Sequence, residues 1–442
     1  MIKRIICLSL VVLFSLTTGI ATAKYSGGDG SESTPYRISD ANDMNDIGLH
    51  EEDWGSHFVM VNDINLAQFT GTQFNIIGNY EGYNDPDNKP FTGVFDGNDF
   101  TISNFTYQTT GRDGIGIFSY LKDTSAVVKD LTLVDPNVSG GDFVGSLVGY
   151  LIEGTTSNCG AEGGTVWGNF MVGGLVGANY DGCISNCYSK ANVNGNDWTG
   201  GLAGANTGGL YDPDAKRSAM SNCYAAGNVV GNVNTGGLVG RAWFCAIVNS
   251  YSVSAVNGNE HTGGLVGDIW GDSPMFLSNC YAAGSVSGTS NVGGLVGYDG
   301  GGVLTSYTMC FWDSDVNPDV NGIGNTSDSN VIGESTPNMQ TRSTFTDAGW
   351  DFVGEVINGP NDIWRMCVDD VNYPLLSWQF NEVDFTCPDG VDSFDFAVLG
   401  LAWGSEQGDG NWNKACDISD PNDDVINIKD LKIFTDNWLA GK

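Results

Sequence analysis

Between Gly114 and Phe311 the chain alternates short apolar pieces, Leu-Val or Tyr-x-x-x-x-Val, with Gly, Asn, Ser and Thr. These are strand and turn signals, and Pro is rare among them. The phrase GGLVG recurs at Gly173–Gly177, Gly236–Gly240, Gly263–Gly267 and Gly293–Gly297, with GGLAG at Gly200–Gly204 and GSLVG at Gly145–Gly149. A second phrase follows four of these six: SNCYSKANVNG from Ser185, SNCYAAGNVVG from Ser221, NSYSVSAVNG from Asn249 and SNCYAAGSVSG from Ser278. From Asn186, Asn222, Asn249 and Asn279 the second glycine of the next phrase is always 15 residues on. The return half varies, from 12 residues (Gly174 to Asn186) to 21 (Gly201 to Asn222), which marks a surface loop on an otherwise stacked backbone.

A unit of about 28 to 30 residues cannot close a core alone, whereas stacked units bury a continuous one. The pattern predicts a parallel β-helix, with glycine at corners needing positive φ. Asn158, Asn186, Asn222, Asn249 and Asn279 should stack about 4.8 Å apart and hydrogen-bond along the column. Cys159, Cys187, Cys223 and Cys280 follow these asparagines, with Ser250 and Ser306 taking the place in other coils, so an inward stack of small side chains is expected rather than disulfides. No histidines accompany the column at metal-ligand spacing.

The repeats resemble the GLUG motif family of bacterial secreted and surface proteins. Residues 27–48, 57–66 and 91–107 resemble its usual entry segment, and Met339–Phe352 with Asp362–Trp378 its exit segment. The resemblance implies a β-helical, adhesin-like scaffold outside the cell; it does not imply an enzyme activity. Lys3 and Arg4 before the apolar run Ile5–Leu16, with Ala21-Thr22-Ala23 after it, read as a secretory signal cut near Lys24. No apolar run is long enough to span a membrane.

Composition changes after Trp378. DFAVLGLAW (Asp395–Trp403) and DLKIFTDNW (Asp430–Trp438) each put three apolar residues on one helical face. Each follows an acidic loop, and the pair resembles a type I dockerin, whose loops bind calcium and whose helices grip a cohesin partner. In the second loop Asp417, Ser419, Asp423, Asn427 and Asp430 are the implied metal ligands, although it is two residues longer than usual. The first loop keeps Asp389, Asp392 and Asp395 and has lost its leading acids. A loop acidic only because the chain is acidic, and a module that merely caps or sorts, are the alternatives. Cys387 and Cys416 bracket the first half of this module, and secretion permits a disulfide there.

The expected fold is therefore mainly β, a right-handed parallel β-helix with a small α-helical, EF-hand-like C-terminal module. Its parts are a signal at 1–23, an entry region at 24–110, repeats at 111–312, an exit segment at 313–380 and the module at 381–442. The net charge of −35, from 53 acidic and 18 basic residues, repels nucleic acid and anionic lipid and leaves calcium and other divalent cations as partners; it also serves solubility alone.

No HExxH, GxSxG or P-loop phrase occurs, and only His50, His57 and His261 are available. Two functions stay open. One is a non-catalytic scaffold binding a polysaccharide or a neighbouring surface. Tyr180, Trp243 and Trp270, each three residues after a closing glycine, should then line up as contact aromatics, unless they only shield a core edge. The other is a carbohydrate-active enzyme. The loop carrying Asp212, Asp214, Lys216 and Arg217 is its best candidate cluster, against an ordinary solvated loop, while Asp313 and Asp315 read as a turn.

Overall fold

The computed structural model describes residues 24–82, 84–209, 218–271, 274–301, 304–355, 357–381, 383–387, 391–419 and 423–440. The expected signal, the Asp212–Arg217 cluster and Asp389 lie outside them. Among the described residues three sheets of 18, 13 and 7 strands run the length of a β-solenoid. One coil shows how the sequence makes it. Val148–Ile152 pairs in parallel with Val176–Tyr180, Thr155–Glu162 with Cys183–Ser185 and Tyr188–Ser189, and Thr165–Trp167 with Asn192–Asn194. Each strand bonds to the equivalent strand one repeat away, so lateral register follows the 15-residue spacing.

The leucines of the recurring phrase, Leu147, Leu175, Leu202, Leu238, Leu265 and Leu295, are fully buried in one continuous core. At the N-terminal end Asp40 caps the helix Ala41–Ile47, accepting from the amides of Asn42 and Asp43, and Met44 and Ile47 join that core.

The glycines of the phrase have a different cause from the one expected, since none of those in the GGLVG copies has positive φ. A Cβ on Gly236 or Gly263 would sit 2.0 Å from the carbonyl oxygen of Val239 or Val266, so these glycines let the backbone fold tightly onto itself. Positive φ falls instead on the asparagines, Asn158, Asn186, Asn222, Asn249 and Asn279, all between 49° and 54°. Their amides bond along the column, Asn186 to Asn158 at 3.0 Å, Asn222 to Asn186 at 3.1 Å and Asn279 to Asn249 at 3.3 Å.

Cys159, Cys187, Cys223, Cys280 and Cys310 are buried free thiols, each directed at the carbonyl two residues before it. Cys310 rather than Ser306 continues the column, because Ser306 pairs with Phe276 earlier in the coil.

Outside the coils Tyr188, Tyr224, Tyr251 and Tyr281 stack face to face at 4.9–5.1 Å. The exit segment covers them with Trp350, Trp364 and Trp378, and Tyr281 Oη donates to the Pro374 carbonyl at 2.6 Å. In the C-terminal module the helices Ser393–Ala402 and Ile428–Ala440 close over Leu399, Ala402, Cys416, Ile426 and Phe434. The Cys387–Cys416 disulfide is not formed. Cys387 pairs with Cys367 of the exit segment, their Cα atoms 5.3 Å apart, and Cys416 is a thiol inside the module's own core.

Candidate functional site

The residue after each closing glycine faces outward from the 13-stranded sheet. In lateral register these are Tyr120, Tyr150, Ala178, Ala205, Arg241, Asp268 and Tyr298. Two positions on, Tyr180, Thr207 and Trp243 form a second column, with Trp270 following Ile269 in the next coil. A facing wall comes from a left-handed residue just before each phrase, where Phe143, Met171, Trp198, Asn234, His261 and Asn291 all have φ of 50–58° and keep register from coil to coil. Asn suits that backbone, whereas a bulky residue there costs about 1–2 kcal/mol.

Over the first coils tyrosine rings fill the channel between these walls, with Tyr80, Tyr120 and Tyr150 in mutual contact. At Ala178 and Ala205 the filling side chain is lost, and a cleft of about 310 Å³ opens between Tyr180, Trp198, Thr207, Arg241, Trp243 and Trp270. The three aromatics expected from their spacing are thus brought together. Trp198 and Arg241 were not anticipated, because they join the cleft from other columns, and neither was Asp268, which is buried against Arg241.

Arg241 organises the cleft. Its Cζ lies 4.2 Å from the ring centre of Trp198, one coil before it, and 4.3 Å from that of Trp270, one coil after. Its Nε is 3.1 Å from Oδ2 of Asp268, which is 2% exposed. Burial pushes the Asp268 carboxyl up to about 6, with Arg241 opposing and Asp299 adding to the rise. Burial likewise lowers Arg241, so desolvation outweighs attraction on both sides of the pair. His261 stacks on Tyr298 at 4.4 Å, its Nδ1 lying 2.8 Å from Asn234 Oδ1 and 3.8 Å from Asp268 Oδ1, and burial lowers its pKa. Trp270 is 52% exposed and offers an open indole face.

The catalytic alternative gains no cluster from Asp313. Both of its oxygens accept from Thr336 Oγ1, one also from Tyr373 Oη at 2.6 Å, and it holds the amides of Asp315 and Val316.

In the second C-terminal loop Asp417, Asp423 and Asp430 each bring an oxygen within 4.8 Å of the others. Asp430 is fully buried and accepts from the amides of Ile418, Ser419 and Asn427 at 2.8–2.9 Å. Burial raises Asp417, and Lys429 Nζ lies 2.5 Å from Asp423, lowering its pKa. The set suits a hard divalent cation in its carboxylates, with Ser419 beside Asp417 at 3.4 Å. Asn427 is turned the other way, its amide nitrogen toward Asp423 and its oxygen taken by the Lys429 amide. In the first loop Asp392 caps the helix through the Phe394 amide. Asp395 is bonded by Thr386 and by the Asp392 amide, so both serve as helix-start groups.

The GLUG motif matches residues 168–194, the coil that runs through Met171, the first GGLVG, Tyr180 and Asn186. The chain is 33% identical over 150 residues, 34% of its length, to halomucin of Haloquadratum walsbyi (strain DSM 16790 / HBSQ001), of which it spans 2%. A solved structure described as a candidate immunoglobulin A1 protease from Bacteroides ovatus is similar over 80% of this chain and 95% of that one. Their sequence identity is 21% and the TM-score 0.49. Among the described residues no helix is long and apolar enough to cross a membrane. The chain is thus a β-solenoid with a GLUG motif match set into one of its stacked coils.

Proposed function

We propose that the protein is a secreted, non-catalytic binding scaffold that holds glycans in the cleft around Arg241. The observation that carries this reading is the placement of Trp198, Trp243 and Trp270 from three successive coils about one arginine. Flat, partly exposed indoles offer the apolar face of a sugar ring a stacking surface, and the guanidinium fixes their positions. Similarity to a protein named halomucin supports a place outside the cell. The C-terminal module is an attachment unit, for a cohesin-like partner or another surface component. Its second loop holds one calcium ion through Asp417, Asp423 and Asp430, with Ser419 and Asn427 completing the set after Asn427 turns its oxygen inward.

A glycan array and a reducing-sugar and unsaturated-product assay, run on the full secreted chain, test the reading. Binding without product release is expected, and Trp243→Ala with Trp270→Ala should abolish the binding. Retained binding in that double variant refutes the cleft, and sugar release by the wild type refutes the non-catalytic assignment.

A further inference from the structure

Resting on the glycan reading of this cleft, we infer that it selects uncharged glycans and excludes acidic ones at neutral pH. An arginine in a sugar site ordinarily holds a carboxylate or sulfate through its planar fork. Arg241 is not free to do so. Its charge is matched by Asp268 at 3.1 Å, and Trp198 and Trp270 lie against it from the coils on either side, at 4.2 and 4.3 Å. The pair carries no net charge, so an anionic sugar gains no cation to offset its desolvation.

The surroundings act in the same direction. Glu260 lies 3.8 Å from His261 at the rim, Asp299 neighbours Ile269 in the following coil, and the whole chain carries −35. Screening removes only the distant part of that field, because the Debye length is about 8 Å at physiological salt. An incoming uronate would approach Asp268 and these acids within that range. What remains for a ligand is apolar stacking area, above all on the exposed indole of Trp270.

Affinity electrophoresis and calorimetry at pH 7.5 decide it, with galactomannan and xylan as neutral probes and polygalacturonate and chondroitin sulfate as acidic ones. The wild type should bind a neutral probe with an affinity that changes less than about twofold as salt rises, and neither acidic probe. Asp268→Asn keeps the side-chain shape and leaves Arg241 with its charge. This variant should gain about tenfold or more for the acidic probes relative to the neutral ones, an increase that salt removes. Salt-sensitive binding of an acidic probe by the wild type overturns the inference while leaving glycan binding intact, and this comparison stands even where the variant fails to fold. An Asp268→Asn protein that folds, judged by circular dichroism, and gains no acidic binding also overturns it. No binding of any probe by either protein removes the glycan reading itself.

Discussion

The Asp268→Asn substitution also has a measurable effect on stability, with a sign set by burial. Asp268 is held at about 6 in the fold against 3.8 for an ordinary carboxyl, a rise of about two units. A folded-state pKa above the unfolded one gives stability that is fully present below pH 4 and lost as pH climbs through 6, because the folded form alone keeps the proton in that window. At about 1.4 kcal/mol per unit the wild type loses about 3 kcal/mol between pH 4 and pH 7 from this group. The asparagine variant has no proton to lose. Its stability relative to wild type should therefore rise by about 3 kcal/mol across the same range, while the contributions of acids distant from the site cancel in the difference. Arg241, His261, Glu260, Asp299 and Tyr298 are the charged or titratable groups around the site and are present in both proteins. Urea unfolding followed by tryptophan fluorescence reads the relevant coils, since Trp243 lies two residues after Arg241 and Trp270 two after Asp268. Stability differences that stay flat within about 0.5 kcal/mol from pH 4 to 7.5, or that fall with pH, refute the reasoning.

Gly236→Ala places a Cβ 2.0 Å from the Val239 carbonyl oxygen, so it should lower stability by about 3 kcal/mol or more, seen as a lower melting temperature or as insoluble protein. Calcium at millimolar concentration should give a calorimetric signal with the intact chain. Asp423→Asn should abolish that signal and leave the helix unchanged, because Asp423 is the cluster's least buried member; a retained signal removes Asp423 from the site. Asp430→Ala should cost about 1–2 kcal/mol even without calcium, since its carboxylate binds three backbone amides, and calcium-free thermal melts check this. Peptide mapping without reduction should recover Cys367 joined to Cys387 and Cys416 as a thiol alkylated only after denaturation.

The solenoid was legible because its coils are covalently regular. A constant offset between Asn186 and Gly201, or between Gly240 and Trp243, becomes a constant position in space once strands stack in register. What spacing could not reveal was why a residue type recurs. The glycines were expected to serve φ and instead serve close approach, while asparagines carry the left-handed backbone. Trp198 and Arg241 escaped notice because their rows repeat no residue type: Trp198 stands between Met171 and Asn234, and Ala178 and Ala205 precede Arg241. Nothing local in the sequence tells that a tryptophan one coil away will meet that arginine. The Cys387 partner escaped for a similar reason, since Cys367 belongs by composition to the exit segment and meets the module only after both have folded.

The tyrosine stack beneath the exit segment has a mechanical consequence. A solenoid built from neighbour contacts unravels from its ends, one coil at a time. Here Trp378 Nε1 donates to the Asn222 carbonyl and Tyr251 Oη to Gln379, contacts that span 156 and 128 residues. These bonds tie the segment to coils far back along the chain, so its docking closes loops of that length. They act as a latch laid across these coils: a pull on the C-terminal end must break the aromatic seam before the coils beneath it peel away.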